Sequence, residues 1–453
     1  MRNINLNFAD IFVFSFLLLS LFFNLTHVNG MIKQTPANFK VLIFSKTVGF
    51  HHEVINDGIQ VIEVLVTDNY SYPDVLLLDS KAIVKVKQRI LAGEKSLLPA
   101  LKKLHQEADQ ALESPIFSVV NKKFTPPSGD KHDYLSMGPY WWPNPKTKNG
   151  LPYIRRDGEV NPERNHYDKI PLRNLDERVG TLALAFYLTD QETYAHHAAK
   201  LVRAWFLDDS TKMSPHLKYG QHIPGISEGR NMGIIESRSF FRIADAVRLL
   251  EGSSAWSSKD QKEFVDWLKK YLFWLIESDL GKKEAAMENN HGTWYDVQVA
   301  YFALYVGEIE IAKNILKKFP EKRIARQIES DGRQPLELER TRSFNYSVMN
   351  MEGFFIAAQW GEKIGLDIWN FSTDAGRSIR DALDFLIPYA TQQKKWKHQQ
   401  ITNWEESYEH FMALLRLASI KYNNERYEHL IENLPGKDKK SSWVNLVYPK
   451  LEK

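Results

Sequence analysis

Helical periodicity runs along most of this chain and limits what it can fold into. From Tyr72 onward, apolar residues recur at spacings of three and four, Asp79 is a candidate N-cap, and convincing alternating strands are absent. Helical segments that repeat in pairs over roughly 350 residues predict an all-α fold, an (α/α) toroid whose inner helices line a central cleft. The predicted helices are Asp176 to Leu207, Ile234 to Leu250, Gln261 to Ser278, Trp294 to Val306, Ile309 to Lys318, Met351 to Gly365, Ala375 to Tyr389, Trp404 to Ile420 and Glu425 to Glu432.

The first thirty residues have the composition of a secretory signal. A short polar start containing Arg2 precedes an apolar stretch from Ile11 to Leu25, which is too short for a comfortable membrane span. We expect cleavage near Gly30, with an uncleaved anchor as the alternative. This interpretation places the mature protein in the periplasm or outside the cell, without membrane contact after cleavage.

A short β-α segment follows the signal. Val41 to Phe44 is typical of a buried strand, and an amphipathic helix is predicted after a turn near Gly49. Phe39 to Leu65 resembles the opening strand and helix of ThuA-like domains, but no strand-helix alternation follows it. The predicted organisation is a signal peptide (1–30), a ThuA-like fragment or linker (31–70) and a toroid domain (71–453).

Composition excludes several classes of protein. The 59 Lys and Arg against 56 Asp and Glu give a net charge of +3, so there is no global basic field for nucleic acid. The absence of cysteine excludes disulfides, thiol chemistry and cysteine-ligated zinc. His51 and His52 are adjacent, so their side chains do not converge as metal ligands would.

The stretch ENNHGTWY is polar and lies between two predicted helices. An Asn amide can donate to a carboxylate while an imidazole takes or supports a proton, which suits a reaction at an acidic sugar. Asn289, Asn290 and His291 are therefore candidate site residues. The alternative is a helix-capping Asn beside a structural His.

A second candidate segment is the arginine-rich stretch LELERTRSFNYSVMNMEGF. If it is helical, Arg342 and Tyr346 form an i,i+4 pair, with Arg340 within two turns of them. Positive charge beside a phenol favours its ionised form, so we expect the pKa of Tyr346 to lie below its ordinary value. The alternative is a solvated face on which Glu337 and Glu339 pair with the arginines.

A long stretch rich in proline, glycine and aromatic residues lies between Pro115 and Arg173. A loop of this length is usually functional or disordered, and this one is too aromatic for disorder. Its rings can stack on sugars or close over a cleft, although toroid cores also bury such rings. The candidates for substrate contact are Tyr134, Tyr140, Trp141 and Trp142.

Four arginines are candidates for binding polymer carboxylates through paired hydrogen bonds. The alternative is exposure to solvent or pairing with nearby glutamates. The arginines are Arg155, Arg156, Arg230 and Arg238, and the glutamates are Glu159, Glu228 and Glu236.

Several motifs in order resemble the alginate lyase superfamily of polysaccharide lyases. They are GDKHDYLSMGPYWWPNP, GLPYIRRDGEVNPE, PGISEGRNMGIIES, NNHGTW and ERTRSFNY, and the resemblance runs from about Tyr72 to the C-terminal region. The loop pattern is closer to polysaccharide lyase family thirty-eight than to family five. The resemblance implies an (α/α) toroid that breaks uronic-acid polymers, such as alginate or glucuronan, by β-elimination without a metal or other cofactor.

The resemblance also implies residue roles. The family's Asn-His pair falls on Asn290 and His291, and its catalytic tyrosine falls on Tyr346, supported by Arg340 or Arg342. In family five the tyrosine follows its arginine by seven positions, and no tyrosine stands there in this chain, which favours the other branch. Asn290 with an arginine would neutralise the uronate carboxylate. His291 and Tyr346 would divide removal of the C5 proton and protonation of the departing O4.

Two other functions stay open from the sequence. A glycoside hydrolase on the same fold would use two carboxylates, for which Asp176, Glu177 and Glu236 are available. A non-catalytic protein that binds acidic glycans would keep the aromatic loop without the proton-transfer residues. The expected partner is an anionic polysaccharide or oligosaccharide rather than nucleic acid.

Overall fold

The computed structural model describes residues 72–436 and 438–450, and most of these residues form α-helices. The predicted signal peptide, the ThuA-like fragment and the His51–His52 pair lie outside the described residues. Across the described ranges, none of the helices combines the length and the apolar character that crossing a membrane requires.

The helices follow one another in antiparallel pairs. The predicted segment from Asp176 to Leu207 is two helices, because the chain turns at Asp190, which has a left-handed φ of 56°. In chain order, the helices of four or more residues are α1 (Ser80–Leu91), α2 (Leu98–Leu112), α3 (Lys169–Thr189), α4 (Glu192–Phe206), α5 (Arg238–Leu249), α6 (Ser258–Glu277), α7 (Asp279–Ala285), α8 (Asn290–Tyr305), α9 (Ile309–Phe319), α10 (Pro335–Leu338), α11 (Ser343–Lys363), α12 (Ile379–Ala390), α13 (Glu405–Lys421), α14 (Glu425–Glu432) and α15 (Val444–Val447).

Burial separates inner helices from outer helices. Every residue of α8 is buried except His291 and Leu304, as expected of a helix that is surrounded on all sides. The neighbouring α9 buries only Ala312, Leu316 and Phe319, which lie on one face at spacings of four and three. Inner helices α3, α5, α8, α11 and α13 alternate in this way with outer helices, which confirms the predicted (α/α) toroid.

The inner helices run in the same direction. Near the starts of α5 and α8, the Arg238 guanidinium lies 4.7 Å from the centroid of the Trp294 ring. Near the ends of the same helices, the Tyr301 hydroxyl lies 3.4 Å from a carboxylate oxygen of Asp245. Each helix N-terminus carries a partial positive charge. The end of the toroid at which the inner helices begin is therefore suited to an anionic ligand.

The segment from Val75 to Leu78 lies across the far ends of the inner helices α5 and α11. The Asp245 carboxylate accepts hydrogen bonds from three successive backbone N–H groups of this segment at 2.6, 2.9 and 3.1 Å. Trp360, near the end of α11, donates its indole N–H to the Leu76 carbonyl at 2.9 Å. These bonds satisfy a buried carboxylate and fix the chain across the ends of α5 and α11.

Side-chain caps determine where several helices begin. Asp79 accepts hydrogen bonds from the backbone N–H groups of Lys81 and Ala82 at 2.9 and 3.0 Å, which confirms it as the N-cap of α1. Asn289 caps α8 by accepting from the backbone N–H of His291 at 3.2 Å. Asn290 and His291 therefore form the first turn of an inner helix, whereas the sequence placed them before it.

Short strands organise the aromatic stretch between Pro115 and Arg173. Strand β1 (Leu135–Met137) pairs in parallel with β4 (Tyr219–His222), and β2 (Trp141–Trp142) pairs in antiparallel fashion with β3 (Ile154–Arg155). The Tyr140 carbonyl accepts from the Arg156 backbone N–H at 2.8 Å at the edge of the second pair. The stretch is ordered, as predicted, and its strands fix the position of Tyr140.

Candidate active site

Asn290 is held at the start of α8 by a buried carboxylate. Its backbone N–H and its side-chain amide donate to the two carboxylate oxygens of Glu337 at 2.7 and 2.6 Å. Asn290 and Glu337 are 0% and 1% exposed, so this pairing replaces hydration for both. Burial raises the pKa of Glu337, and the Asn290 hydrogen bonds oppose that rise. The alternative, in which Glu337 pairs with arginines on a solvated face, is wrong for this residue.

His291 is oriented by a second buried carboxylate, Glu284. Its Nδ1 lies 2.6 Å from Oε1 of Glu284, whose other oxygen accepts from the Asn231 amide at 2.8 Å. Glu284 is fully buried on the short helix α7, which the sequence did not predict. A carboxylate on Nδ1 fixes the imidazole ring and leaves Nε2 available for a ligand. His291 is the residue of this first turn that is only partly buried.

Tyr346 lies in the first turn of α11, and Arg340 is the arginine that contacts it. The Arg340 guanidinium donates to the Tyr346 hydroxyl at 3.1 Å and lies 4.1 Å from the centroid of its ring. Arg342 instead precedes the first residue of α11 and forms an isolated β-bridge with Gln400. Of the two arginines that the sequence proposed, the geometry selects Arg340.

Asp157 holds Arg340 in place. Its carboxylate accepts from the Arg340 guanidinium at 3.1 Å and from the Thr341 hydroxyl at 3.1 Å. The next residue, Gly158, has a φ of +77°, and a Cβ there would lie 2.2 Å from the Thr341 hydroxyl oxygen. Glycine is therefore needed for the loop to approach this closely.

The expected lowering of the Tyr346 pKa is wrong. Burial raises the pKa of Tyr346, the neighbouring Tyr140 raises it further, and Arg340 only partly offsets both effects. The positive charge that the sequence revealed is present, but desolvation of the phenol is the larger effect. Tyr346 is therefore protonated at neutral pH, as a proton donor must be.

Tyr140 reaches the same site from the aromatic loop. Its hydroxyl oxygen lies 2.8 Å from that of Tyr346. The sequence proposed Tyr140 only as a ring that stacks on sugar or covers the cleft. The structure adds a hydroxyl in direct contact with the candidate proton-transfer group.

The other aromatic candidates differ in exposure. Tyr134 is wrong as a sugar contact, because it is 0% exposed and its hydroxyl donates to Glu236 at 2.8 Å. Trp141 and Trp142 are half-buried on β2. The Arg230 guanidinium lies 5.8 Å from the centroid of the Trp141 ring, and the Arg156 guanidinium lies 5.2 Å from that of Trp142. These two tryptophans stay candidates for substrate contact.

The four candidate arginines lie in different surroundings. Arg155 pairs with Asp157 at 2.6 Å and Arg156 with Glu159 at 3.8 Å, so the second pairing agrees with the alternative. Arg230 donates to Gln221 at 2.6 Å, and its Nε has no hydrogen-bond partner among the described residues. Burial lowers the pKa values of Arg230 and Arg238 to about 10. Both remain charged at neutral pH and suit binding of a carboxylate.

Neighbouring inner helices connect the two candidate segments. The Trp294 indole N–H donates to the Met349 carbonyl at 3.2 Å, which joins the first turns of α8 to α11. Glu337, bonded to Asn290, lies three residues before Arg340. The described residues contain no group of three or more His, Asp or Glu side chains placed to hold a metal. Asn290, His291, Arg340 and Tyr346 supply hydrogen-bond donors, positive charge and titratable groups, with which the site can bind an anion and transfer protons.

Two of the three carboxylates proposed for a hydrolase are buried and engaged elsewhere, and the exposed Glu177 pairs with Arg173 at 3.6 Å. Asp176 is buried and bonded to the Arg242 guanidinium. Glu236 is buried and accepts from Tyr134 and from the Ser136 hydroxyl at 2.6 Å. The contact of Glu236 with the aromatic residue Tyr134 is therefore structural.

Comparison with known proteins gives the family. The family model described as alginate lyase matches residues 118–396, more than half of the chain. This chain belongs to the alginate lyase family. An alginate lyase crystal structure from Bacteroides ovatus has 40% sequence identity and a TM-score of 0.80, and the match covers 83% of this chain and 99% of that chain.

More distant solved structures of alginate lyases also match this chain. Alginate lyase A1-III from Sphingomonas species A1 has 15% identity and a TM-score of 0.47, over 84% of this chain and 100% of that one. A variant of A1-III complexed with a tetrasaccharide has 16% identity and a TM-score of 0.50, with the same coverage. No match is found among curated protein sequences. The resemblance to alginate lyases is confirmed, while the ThuA-like fragment stays a prediction.

Several supporting residues of this alginate lyase family member escaped sequence reasoning. Glu284 lies outside the motifs that resemble the family, whereas Asn231 and Asp157 lie inside them, and only the fold shows that all three support the site. Glu337 offered a signal, since it lies in the same motif as Arg340, but its burial was not visible in the sequence.

Proposed function

We propose that this polysaccharide lyase cleaves uronate polymers, alginate first among them and glucuronan as a further substrate, by β-elimination. The C5–H bond breaks and its electron pair forms the C4–C5 double bond. The C4–O4 bond breaks at the same time, and O4 takes a proton. The supporting observation is the Tyr346 hydroxyl, which is hydrogen-bonded to Arg340 and Tyr140. Tyr346 lies on α11, beside α8, whose first two residues are Asn290 and His291.

The uronate carboxylate must be neutralised first, because its charge opposes a second negative charge at C5. Asn290 uses one amide hydrogen for Glu337; its side chain is buried, so the substrate must displace the groups that cover it to accept the second amide hydrogen. The buried Glu337 fixes the orientation of that amide. Asn290 therefore supplies a positioned donor, and the N-terminus of α8 adds partial positive charge.

His291 is the base in this proposal. Its Nδ1 is engaged by Glu284, so Nε2 accepts the C5 proton. The Glu284 carboxylate then stabilises the imidazolium that forms, as the acidic residue does in serine hydrolase triads.

Tyr346 is the acid. Its raised pKa keeps the phenol protonated until O4 departs. Arg340 and Tyr140 both lie within hydrogen-bond distance and stabilise the phenolate that remains. This division applies when the C5 proton and O4 lie on opposite faces of the sugar. When both lie on one face, Tyr346 with Tyr140 beside it is the group placed to exchange both protons.

The direct test uses three substrates. Purified protein is incubated separately with polymannuronate, polyguluronate and glucuronan while the ultraviolet absorbance of unsaturated uronate is followed. We expect absorbance to rise with at least one alginate block. New reducing ends without absorbance would indicate hydrolysis, and binding without either product would indicate a glycan-binding protein; both results would overturn the proposal.

We also propose that the protein is exported to the periplasm or beyond the cell. The apolar stretch from Ile11 to Leu25 supports this localisation. N-terminal sequencing of the protein from its native host should find a start near Gly30, and an intact Met1 would contradict cleavage.

A further inference from the structure

A groove with a cavity volume of about 470 Å³ lies where helix α12, the loop 391–404 and helix α13 meet. The side chains that the argument uses are Tyr389, Lys394, Lys395, Trp396, Trp404 and Tyr408. The described residues that line this groove include two lysines and no carboxylate. The catalytic candidates Asn290, His291 and Tyr346 do not line it.

The aromatic wall of the groove is rigid. The Tyr389 and Trp396 rings are 5.0 Å apart at an interplanar angle of 83°, and the Trp396 and Trp404 rings are 5.8 Å apart at 81°. Trp396 also donates its indole N–H to the Ser343 hydroxyl at 2.9 Å. Edge-to-face contacts and this hydrogen bond fix the rings before any ligand arrives.

Positive charge accompanies this wall. Lys394, Lys395 and Lys397 are all exposed on the same loop. None of the three forms an ion pair with a side chain in the described part of the chain, whereas the exposed Lys262 pairs with Asp266 at 2.8 Å. The three ammonium groups are therefore free to attract an anion.

We propose that this groove is a second binding site for the anionic polysaccharide, separate from the catalytic residues. Half-buried rings can stack on sugar faces, and the ammonium groups can pair with uronate carboxylates. A neutral polysaccharide would contact only the aromatic rings of the groove. A polyanion without sugar rings would pair only with the lysines. The choice of a uronate polymer as the ligand rests on the proposed function.

The same loop is tied to the catalytic segment. The Gln399 carbonyl accepts from the Ser343 backbone N–H at 3.2 Å, and the Ile401 backbone N–H donates to the Thr341 carbonyl at 2.9 Å. Thr341 and Ser343 stand between Arg340 and Tyr346 in the sequence. A polymer held in the groove would therefore stay near the catalytic residues, and its next cleavage would proceed at a raised local concentration.

The test compares two charge reversals of equal size. One variant carries Lys394→Glu and Lys395→Glu. The matched control carries Lys317→Glu and Lys318→Glu, two adjacent exposed lysines on the outer helix α9. Retardation is measured in native gels containing polymannuronate, with Tyr346→Phe added to both variants to slow cleavage. We expect the loop variant to bind about tenfold more weakly and the control to change little.

Turnover separates this inference from the proposed function. With Tyr346 intact, the loop variant should show a raised KM for polymer relative to a trisaccharide, and its melting temperature should match that of the control. If the protein cleaves uronate polymers but both variants behave alike in gels and kinetics, the groove is not a polysaccharide site. Absence of cleavage with every polymer would instead contradict the proposed function, while gel retardation would still test the groove.

Discussion

The hydroxyl oxygens of Tyr140 and Tyr346 lie 2.8 Å apart, although 206 positions separate the two residues. One comes from the aromatic loop and the other from the inner helix α11. Asp157 links the two regions, because its carboxylate accepts from Arg340 at 3.1 Å. The aromatic loop is therefore part of the proposed proton-transfer site as well as a candidate surface for sugar contact.

Replacement of the two neighbouring arginines distinguishes their roles. A lysine at position 340 lacks the planar fork that fixes the bonds of Arg340 to Asp157 and Tyr346. We expect Arg340→Lys to lower kcat by about one to two orders of magnitude, within the range of acid–base contributions. Arg342→Lys, which keeps the charge beside α11, should change kcat much less. Initial rates on alginate give kcat for both variants. Equal losses of kcat would contradict the assignment of Arg340 as the arginine that supports Tyr346.

Glu284 is a positioning residue for His291, and two substitutions test this role. Glu284→Gln keeps one oxygen, which can still accept from His291, but its amide nitrogen cannot accept from Asn231; Glu284→Ala removes both contacts. We expect Glu284→Ala to lose at least tenfold more kcat than Glu284→Gln, with KM less affected. A purely structural role would instead lower the melting temperature of both variants and leave kcat per folded molecule unchanged.

Tyr134 should contribute to stability rather than to substrate binding. Tyr134→Phe removes the hydroxyl that donates to the buried Glu236 and leaves the Ser136 contact in place. We expect a loss of about 1–2 kcal/mol in the free energy of unfolding, because a hydrogen bond to a buried carboxylate is lost. Urea denaturation measures that loss. A raised KM for polymer without any loss of stability would restore Tyr134 as a sugar contact.

The His410–Glu352 pair predicts how stability changes with pH. The two side chains approach to 2.5 Å. The Glu352 charge raises the pKa of His410 above 6.5. Burial raises the pKa of Glu352, but the opposing charge of His410 brings it below 4.5. The His410 contribution is therefore present below pH 6.5 and is lost as pH rises through its raised pKa. The Glu352 contribution is present above pH 4.5 and is lost as pH falls through its lowered pKa.

Substitution of His410 should accordingly matter most in mild acid. We expect His410→Gln to cost no more than about 1 kcal/mol near pH 6, because the imidazole is 43% exposed and solvent weakens the pair. Near pH 9 the same substitution should cost less. Denaturant unfolding at the two pH values measures the difference. A larger cost at the higher pH would contradict the assigned directions.

The fold was predictable because helical periodicity is a local signal. Outer helices such as α9 carry apolar residues on one face, so their bounds were nearly correct. Inner helices bury polar residues in their first turns, so the spacing of apolar residues does not show where these helices begin. Helix α11 begins at Ser343, eight residues before the predicted start at Met351.

The candidate site was predictable where a motif is contiguous. Asn290, His291, Arg340 and Tyr346 each come from short motifs; the structure places Asn290, His291 and Tyr346 on two neighbouring inner helices and Arg340 just before the second. The contact between Tyr140 and Tyr346 needs the folded chain, since no local pattern joins residues so far apart. The direction of the Tyr346 pKa was predicted wrongly, because the sequence shows a nearby charge but not the burial that outweighs it.

The Tyr346→Phe variant tests the central claim most directly, because it removes one hydroxyl and little else. Its turnover of polymannuronate and polyguluronate is followed by the absorbance of unsaturated uronate. Its melting temperature and its binding to the polymer are measured as controls. We expect kcat to fall by about two to four orders of magnitude, the range of general acid catalysis, with fold and polymer binding retained. Wild-type turnover in this variant would contradict the assignment of Tyr346 as the proton donor.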